Sequence, residues 1–532
     1  MSRTQTVAPG CGAATQRHGA VAAGHPETAG AARQVLADGG NAFDAVLAAM
    51  AAATVAEPLL CSLGGGGFLM AQPAGAPATL YDFFAETPRR PPDDSEALDF
   101  RAVEVDFGPA TQEFHIGLGA MAVPGAVRGL CTAHRALATR PLAELLRPAV
   151  RLARDGVPLR EFDAYAGRVL TPILTASPAL AATFRRPDGA PLATGDRLLQ
   201  PELADTLERL GDEGDRPFYE GDLAERLAAF AAEHGGLVDA EALGRYQVAA
   251  RAPLTRRYRG AEVLTNPPPS TGGLLIAFAL ELLAAHEPLP PHGAPGQLGA
   301  LARAMELTNR ARLEASLHDA DDDADAAAAR LFDPALLQRY RAELLGRPAC
   351  DRGTTHISVV DGAGNLAAMT LSNGEGCGRT LPGTGIHLNN MLGEEDLHPQ
   401  GFHRWPPATR IASMMAPSLL RLPDGAIAAL GSGGSNRIRT ALLQVASNLV
   451  DHAMPLDAAV AAPRLHVERG LVNVEPGYGE DAVAAAAAQG ERLKRWPEAN
   501  MFFGGVHAVH RSADGTLAAA GDPRRGGAAE AV

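Results

Sequence analysis

The pattern of apolar residues predicts a helical N-terminal part of the chain. Residues 42–55 are apolar almost all round, and this run ends at Glu57-Pro58. A helix with no polar face must be buried, so we predict an internal helix here. Residues 62–70 form a glycine loop that leads into a strand. Between residues 140 and 350, helical stretches alternate with proline-rich connectors, which predicts helices at 145–155, 202–210, 223–234, 274–286 and 300–317.

From Thr354 the pattern changes to that of strands. Residues 355–360 are rich in β-branched side chains, residues 361–365 favour a turn, and residues 366–371 predict the returning strand of a hairpin. Another strand at 426–430 is followed by the glycine-rich segment 431–436 and then by one amphipathic helix. A strand is also predicted at 506–510, where the spacing of His507 and His510 directs the two rings to opposite faces and argues against a metal site.

Composition and charge narrow the classes of function. The chain has 532 residues, of which 46% are hydrophobic, and Asp+Glu exceed Lys+Arg by 61 to 47, giving a net charge of −14. Such an acidic chain disfavours binding to nucleic acid or to an anionic membrane surface. No uncharged apolar run reaches the length of about 18 residues that a membrane span needs. The first 16 residues lack the apolar segment of a secretory signal, so we expect a cytoplasmic location.

The sequence offers no pattern for a metal or a cofactor. The five cysteines are widely spaced and include no C-x-x-C pair, which argues against a zinc ribbon or a disulfide scaffold. The acidic run 318–325 lacks the glycine and terminal glutamate of an EF-hand loop, so a solvated loop is favoured over a calcium site. The four glycines at 64–67 are followed by a strand and by no Lys-Ser/Thr pair, so phosphate binding is not favoured.

Two short segments could support acyl transfer. Thr354 follows Gly353 at the start of a predicted strand. A cut between them would give Thr354 a free α-amine with an ordinary pKa of about 7.7–8.0, so that one residue could supply both nucleophile and base. The alternative is an ordinary strand start. Between a strand and a helix, Gly433-Gly434-Ser435 could present backbone N–H groups as an oxyanion hole, or could be a glycine turn capped by Ser435 or Asn436.

These motifs resemble the γ-glutamyltransferases, or glutathione hydrolases, of the N-terminal-nucleophile hydrolase superfamily. The resemblance extends over most of the chain. Its most specific parts are the segment Thr-Thr-His-Ile-Ser-Val-Val-Asp at 354–361 and the segment Gly-Ile-His-Leu-Asn-Asn at 385–390. Shorter matches lie at 39–45, 57–58, 64–68, 122–125, 148–156 and 267–273.

The resemblance implies an α+β fold, a four-layer αββα sandwich in which two antiparallel sheets lie between helices. It also implies that the precursor cleaves itself between Gly353 and Thr354. The products would be a heavy fragment, 1–353, and a light fragment, 354–532, which together form one catalytic unit.

The same resemblance assigns the site residues. Thr354 would be the nucleophile, Ser372 a second hydroxyl beside it, and the oxyanion donors would come from Gly433-Gly434 or Gly434-Ser435. Ser413 matches the first serine of a family pair that contacts the donor. Asn373 and Glu394 are further candidates for donor contacts, although both are displaced from the positions of the family pattern. The chemistry would need no metal and no cofactor.

Three departures lie where the family holds the α-carboxylate and α-amine of its donor. Ala85 replaces an arginine, Met391 a glutamate or glutamine, and Met414 a serine. Arginine is the natural bidentate partner of a carboxylate, so its loss removes more than one hydrogen bond. The acyl-transfer machinery therefore resembles that of the family, whereas the γ-glutamyl clamp differs.

We predict a self-processing γ-glutamyl hydrolase or transferase that cleaves glutathione-like amides through an acyl-Thr intermediate. Its partners would be a small-molecule amide donor and a water or amine acceptor. Two alternatives stay open. One is a small-amide amidohydrolase or side-chain acylase on the same scaffold, and the other is an unprocessed, non-catalytic binding homologue.

Overall fold

The computed structural model describes residues 18–89, 98–106, 111–315, 324–334, 336–337, 340, 354–397, 401–468 and 470–532. Gly353 and residues 318–323 of the acidic run lie outside this part of the chain.

Two antiparallel sheets face each other at the centre of the described structure. The strands of the first sheet are, in spatial order, Ala528–Ala531, Gly19–Ala23, Thr355–Asp361, Leu366–Ser372, Gly66–Gln72, Thr79–Phe83 and Ala249–Arg251. Those of the second are Leu517–Ala520, Gly505–Arg511, Ile427–Gly433, Ser418–Arg421, Ala261–Thr265 and Leu254–Tyr258. Smaller sheets contain Arg101–Asp106 with Thr111–Ile116, Val157–Pro158 with Arg197–Leu198, and Leu465–Glu468 with Leu471–Val474 and Arg492–Arg495.

Helices cover the outer faces of both sheets. Pro26–Ala37 and Ala42–Ala56 pack on the first sheet, and Gly272–Leu283 and Arg437–Val450 pack on the second. The other helices are Ala126–Leu137, Leu142–Asp155, Glu161–Val169, Thr171–Leu174, Pro178–Thr183, Pro201–Glu213, Arg216–Glu220, Asp222–Glu233, Ala240–Arg245, Pro295–Glu314, Ala324–Leu331, Leu456–Ala461 and Glu480–Ala487. Short 3-10 turns lie at Leu118–Ala120, Met391–Gly393, Glu395–Leu397, Met501–Phe503 and Pro523–Arg525. This layering confirms the predicted αββα sandwich.

Burial on both faces explains the continuous apolar pattern of the central strands. In Thr355–Asp361, Ile357 and Val359 face the helical layer, whereas Val360 belongs to the core between the sheets. His356 and Ser358 also lie at 0% exposure, and the Ser358 hydroxyl donates to the carbonyl oxygen of His507 in the second sheet at 3.2 Å. Polar side chains inside this strand therefore join the two sheets.

The predicted buried helix is observed as Ala42–Ala56, and every residue in it is buried. The Asn41 side chain caps its first turn, and the Asp44 carboxylate accepts from the Asn41 N–H in return. Other predicted helices are present with shifted ends: the one predicted at 145–155 begins at Leu142, and the one predicted from residue 300 begins at Pro295. No helix in the described part of the chain is long and apolar enough to cross a membrane.

Strands from both sides of the predicted cleavage point are interleaved in the first sheet. Gly19–Ala23 pairs on one edge with Ala528–Ala531 and on the other with Thr355–Asp361. Leu366–Ser372 in turn pairs with Gly66–Gln72. The two predicted fragments are therefore not separate folding units in this structure, because each supplies strands to the other's sheet.

Candidate active site

The start of the strand Thr355–Asp361 opens onto a cleft of about 350 Å³. Thr354, which is 3% exposed, lines this cleft at the end of the first sheet. Five predicted site residues meet here: Thr354, Ser372, Glu394, Ser413 and Ser435. They come from five separate segments of the chain, so the fold and not the local sequence brings them together.

Ser372 is held beside Thr354 by strand pairing. Thr355 lies opposite Leu371 in the antiparallel ladder. This register places Thr354, the residue before Thr355, next to Ser372, the residue after Leu371. The Ser372 hydroxyl oxygen accepts a hydrogen bond from the Gly374 N–H at 3.1 Å. That bond fixes the side chain at the point where the strand ends.

Ser413 reaches the cleft from the segment that precedes the second sheet. Its hydroxyl oxygen accepts from the Met415 N–H at 3.1 Å, and its carbonyl oxygen accepts from the Thr271 N–H at 2.9 Å. The proline-rich turn before the helix Gly272–Leu283 therefore supports this side of the cleft.

The glycine segment after Ile427–Gly433 packs directly against the nucleophile candidate. A Cβ atom at Gly433 would lie 1.8 Å from the Thr354 carbonyl oxygen, so only glycine fits there. Gly434 has φ +120° and Ser435 has φ +49°, which turns the chain sharply before the helix at Arg437. This main chain therefore lies against the Thr354 carbonyl, and of its three residues Ser435 lines the cleft, whereas Gly433 and Gly434 are not among the lining residues.

The two remaining candidates for contacts with the donor, Glu394 and Asn373, lie in different places in the structure. Glu394 lines the cleft, and a Cβ atom at Gly374 would lie 2.3 Å from its Oε1. Asn373 does not line it: its side chain is fully buried and its Oδ1 accepts from the Ser62 hydroxyl at 2.7 Å. The difference arises because successive residues after the strand point to opposite sides, so Ser372 faces the cleft and Asn373 the interior.

The altered clamp positions give the cleft an apolar lining. Met391 and Met414 both line it, together with Phe84, Leu397, Met415 and Ile438. Ala85 is fully buried, and its carbonyl oxygen accepts from the Ile411 N–H at 3.0 Å. Among the described lining residues Glu394 is the one with an ionisable side chain, and no arginine or lysine is present.

Three arginines lie close in sequence to the site segments and are candidates to replace the arginine that is absent at position 85: Arg89, Arg90 and Arg379. Arg89 forms an ion pair with Glu241, and Arg379 donates to Asp99 at 2.7 Å, both away from the cleft lining. Arg90 lies outside the described residues.

No histidine in the described lining can act as the general base. The nearest in sequence, His356, is buried between Thr370 and Ser358, with its Nδ1 2.8 Å from the Thr370 Oγ1. Burial lowers its pKa well below the ordinary range, so the ring stays neutral. The described residues also contain no group of three or more His, Cys, Asp or Glu side chains placed to hold a metal ion.

Sequence reasoning missed the residues that support Thr354 from behind. The Thr355 hydroxyl donates to Glu57 Oε2 at 2.6 Å, and the Thr28 hydroxyl donates to Glu57 Oε1 at 2.8 Å. Arg525 Nη1 donates to the Thr354 carbonyl oxygen at 3.3 Å. In the sequence, Glu57-Pro58 marks a helix end and a short match to the family, neither of which indicates a contact beside Thr354, and nothing in the local pattern around Arg525 indicates its role.

A larger cavity of about 830 Å³ lies behind Glu57, between residues 56–60 and the helices Glu161–Val169 and Pro178–Thr183. It is lined mostly by apolar side chains and contains none of the predicted site residues. The smaller cleft at Thr354 is therefore the candidate active site, because the reactive groups converge there.

Comparisons with known proteins identify the family of the chain. The family model for gamma-glutamyltranspeptidase matches residues 28–532. The Acylase ACY 1 proenzyme of Pseudomonas sp. (strain V22) is 33% identical, with 98% of this chain and 94% of the relative covered. The Glutathione hydrolase proenzyme of Escherichia coli (strain K12) is 29% identical, with 92% and 87% covered.

Solved structures show the same similarity. The cephalosporin acylase from Bacillus halodurans has a TM-score of 0.83 and 25% identity over 100% of this chain and 98% of that one. The Helicobacter pylori gamma-glutamyltranspeptidase has a TM-score of 0.53 and 25% identity over 61% of this chain and 91% of that one. The predictions of an enzyme of this family and of a small-molecule substrate are confirmed at that level: the chain belongs to the gamma-glutamyltranspeptidase family.

Proposed function

We propose that this protein is a self-processing acyltransferase and amide hydrolase that cleaves γ-glutamyl-type amides through an acyl ester on Thr354. The observation that supports the proposal is the convergence of Thr354, Ser372 and Ser413 in one cleft, with Gly433 against the Thr354 carbonyl. Relatives named as proenzymes support the self-processing step.

Maturation would begin when the Thr354 hydroxyl attacks the Gly353 carbonyl. The peptide C–N bond breaks as the C–O bond forms, and the Thr354 nitrogen takes the hydroxyl proton. Water then hydrolyses the resulting ester, which frees the Gly353 carboxylate and leaves Thr354 with both its hydroxyl and an α-amine.

Turnover would use the same hydroxyl on the donor amide. The α-amine of Thr354 accepts the hydroxyl proton and passes it to the leaving amine, because no histidine in the described lining can do so. Backbone N–H groups at 433–435 would stabilise the oxyanion of the tetrahedral intermediate. Water or an amine acceptor then attacks the ester and returns the Thr354 hydroxyl.

The mass of the purified protein tests this function. We expect two fragments, 1–353 and 354–532, with Thr354 as the new N-terminus. Thr354→Ala should stay as one chain, whereas Thr354→Ser should cleave because it keeps a hydroxyl. A wild type that stays intact after long incubation would contradict the proposal and favour a non-catalytic homologue.

A side-chain acylase is the second candidate, and the apolar lining favours it. Phe84, Met391 and Met414 offer no partner for the α-carboxylate of a γ-glutamyl group, and an unpaired polar group in such a site costs on the order of 1–3 kcal/mol. Two of the similar proteins are named acylases. We therefore expect weak binding of glutathione and better turnover of an amide that lacks the α-carboxylate.

Four p-nitroanilides separate the two candidates because their acyl groups differ by one charge at a time. The γ-glutamyl donor has both charges, the 4-aminobutyryl donor lacks the carboxylate, the glutaryl donor lacks the amine, and the butyryl donor lacks both. A kcat/KM highest for 4-aminobutyryl or butyryl would support the acylase. A highest value for γ-glutamyl, with a low micromolar KM for glutathione, would support the γ-glutamyl enzyme and contradict the altered clamp.

A further inference from the structure

Arg525 is a buried cation that contacts the main chain of the proposed nucleophile. It is 5% exposed and lies in the short turn Pro523–Arg525, which comes just before the edge strand Ala528–Ala531. Its Nη1 donates to the Thr354 carbonyl oxygen at 3.3 Å, and its Nε and Nη2 donate to the Met501 carbonyl oxygen at 3.4 and 3.3 Å.

The guanidinium also lies behind the candidate oxyanion loop. Its Nη1 is 3.3 Å from the position of a Cβ atom at Gly433, and its Nη2 is 3.1 Å from that position at Gly434. It does not line the cleft itself, so it does not contact the substrate. Arg525 therefore binds the Thr354 main chain and packs against the glycine segment from the interior.

The hydrogen-bond partners of Arg525 are neutral, although two carboxylates act on it from beyond hydrogen-bond contact. Carbonyl oxygens accept all of its hydrogen bonds within the described part of the chain, and they carry no formal charge to neutralise it. Burial lowers the pKa of Arg525 to about 10, which still leaves it protonated at neutral pH. A positive charge in a poorly solvated place acts strongly on ionisable groups nearby.

We infer that Arg525 is a positioning residue for the nucleophile: it holds the Thr354 carbonyl, and its charge keeps the Thr354 α-amine in the neutral form that accepts a proton. The inference rests on the proposed function, in which that amine exists and is the general base. A nearby cation disfavours the ammonium form, so more of the amine is available as a base at neutral pH.

Other charges around the site act in both directions. Asp522 and Glu375 favour the charged form of Arg525 and raise its pKa, whereas the positive charge of Arg464 lowers it. Asp522 is itself paired with Arg464 at 2.6 Å. Glu57 approaches Thr355, and Glu394 lines the cleft, so both carboxylates favour the ammonium form and oppose Arg525.

The pH dependence of kcat/KM tests the inference, with the p-nitroanilide that the wild type cleaves fastest. The acidic limb is the part of the pH profile where kcat/KM falls as the α-amine becomes protonated. Arg525→Met removes the positive charge, so this limb should move to higher pH by about one unit, and kcat/KM at pH values below the limb should be roughly tenfold lower. Arg525→Lys keeps the charge, so its limb should stay in place even if kcat falls. Arg511→Met is the matched control, because it lies at the opposite end of the strand pair from Gly433 and Gly505.

The protonation of the Thr354 α-amine can also be measured directly, by its reaction with cyanate. Cyanate carbamylates the neutral amine, and the mass of the N-terminal peptide of the light fragment gives its rate at each pH. The midpoint of that rate should shift upward in Arg525→Met and not in Arg525→Lys or Arg511→Met.

The outcomes separate this inference from the proposed function. If the wild type matures at Thr354 but the limb and the carbamylation midpoint stay unchanged in Arg525→Met, the inference is overturned and the proposed function stands. If the wild type gains no new N-terminus, the proposed function itself fails. If Arg525→Met folds but does not cleave itself, Arg525→Lys gives the test. A Lys variant that cleaves itself and has the acidic limb of the wild type supports the role of the positive charge. A Lys variant that folds but stays uncleaved overturns the inference.

Discussion

Ser372 and Ser413 place their hydroxyls in the cleft from two different segments, and each oxygen also accepts a main-chain N–H. Their O–H groups can therefore be directed into the cleft while the side chains stay fixed. A positioned hydroxyl stabilises developing charge without reorganisation during the reaction.

Ser372→Ala and Ser413→Ala should each lower kcat/KM by roughly 10²-fold, because each removes one oriented donor. The unfolding transition should change little. Ser512→Ala is the control, since Ser512 lies in the turn between Gly505–Arg511 and Leu517–Ala520. Kinetics with one p-nitroanilide donor measures the effect, and wild-type rates in both cleft variants would show that the site is misplaced.

Met414→Ser should shift donor preference toward γ-glutamyl. The change restores a hydroxyl at a cleft position that is now apolar, and one hydrogen bond to a charged group contributes about 1.5–3 kcal/mol. We expect the ratio of kcat/KM for the γ-glutamyl to the butyryl donor to rise by about tenfold or more. Met454→Ser, outside the cleft, is the control, and an unchanged ratio would count against a donor-contact role for position 414.

Among the elements, those with strong local patterns were predictable and those defined by distant contacts were not. The buried helix Ala42–Ala56 and the hairpin from Thr355 to Ser372 follow from apolar runs and a turn. The role of Arg525 could not be read from sequence, because its contact with Thr354 spans 171 positions. That Asn373 does not line the cleft could not be predicted for a similar reason: family spacing does not say which face of the chain a residue takes after a strand ends.

The element before the C-terminal strand is stabilised by buried ion pairs. Asp522 pairs with Arg464 at 2.6 Å and with Arg524 at 3.2 Å, and Arg524 also pairs with Glu475 at 2.5 Å. Burial alone would raise the pKa of Asp522, but the two guanidinium groups hold it below its usual range. The turn that carries Arg525 thus depends on an ionised carboxylate.

This arrangement predicts how stability changes with pH. Since the folded pKa of Asp522 lies below the unfolded value of about 3.9, its contribution is fully present above pH 4 or so and is lost as the pH falls further. In the uncleaved Thr354→Ala background, Asp522→Asn should lower the free energy of unfolding at pH 7 by about 3–5 kcal/mol. The variant should also lose part of the acid sensitivity below pH 4.

Urea unfolding between pH 3 and pH 7 gives both quantities. Asp481→Asn, at an exposed position in the first turn of Glu480–Ala487, should behave like the parent. A parallel pH dependence for Asp522→Asn and the parent would contradict the assignment.

At the scale of the whole molecule, the first sheet contains strands from before and after Gly353, interleaved with one another. The strand Gly19–Ala23 has a partner from the C-terminal part on each side. The core between the sheets likewise contains residues from both parts, such as Met70 and Leu430. The predicted heavy and light fragments therefore share one hydrophobic core.

A cytoplasmic location stays a prediction from the sequence.

The cleaved protein should accordingly behave as one particle. Size-exclusion chromatography without denaturant should give a single peak that contains both fragments, because separation would expose the core strands of each. In urea the fragments should elute separately. Two peaks under native conditions would contradict the shared core.

Because strands from both predicted fragments share one sheet, cleavage of the chain also changes whether the unfolded protein can refold. Before cleavage, the two parts are joined, and linked segments find each other at an effective concentration on the order of millimolar. After cleavage, two independent molecules must meet at the protein concentration of the solution, so recovery from heat becomes a second-order process that competes with aggregation. The stability of the uncut chain is therefore a reversible folding equilibrium, whereas that of the mature protein is a lifetime set by the height of its unfolding barrier. The uncut Thr354→Ala chain should regain its fold after dilution from urea at a yield independent of concentration, whereas the mature protein should regain less as it is diluted.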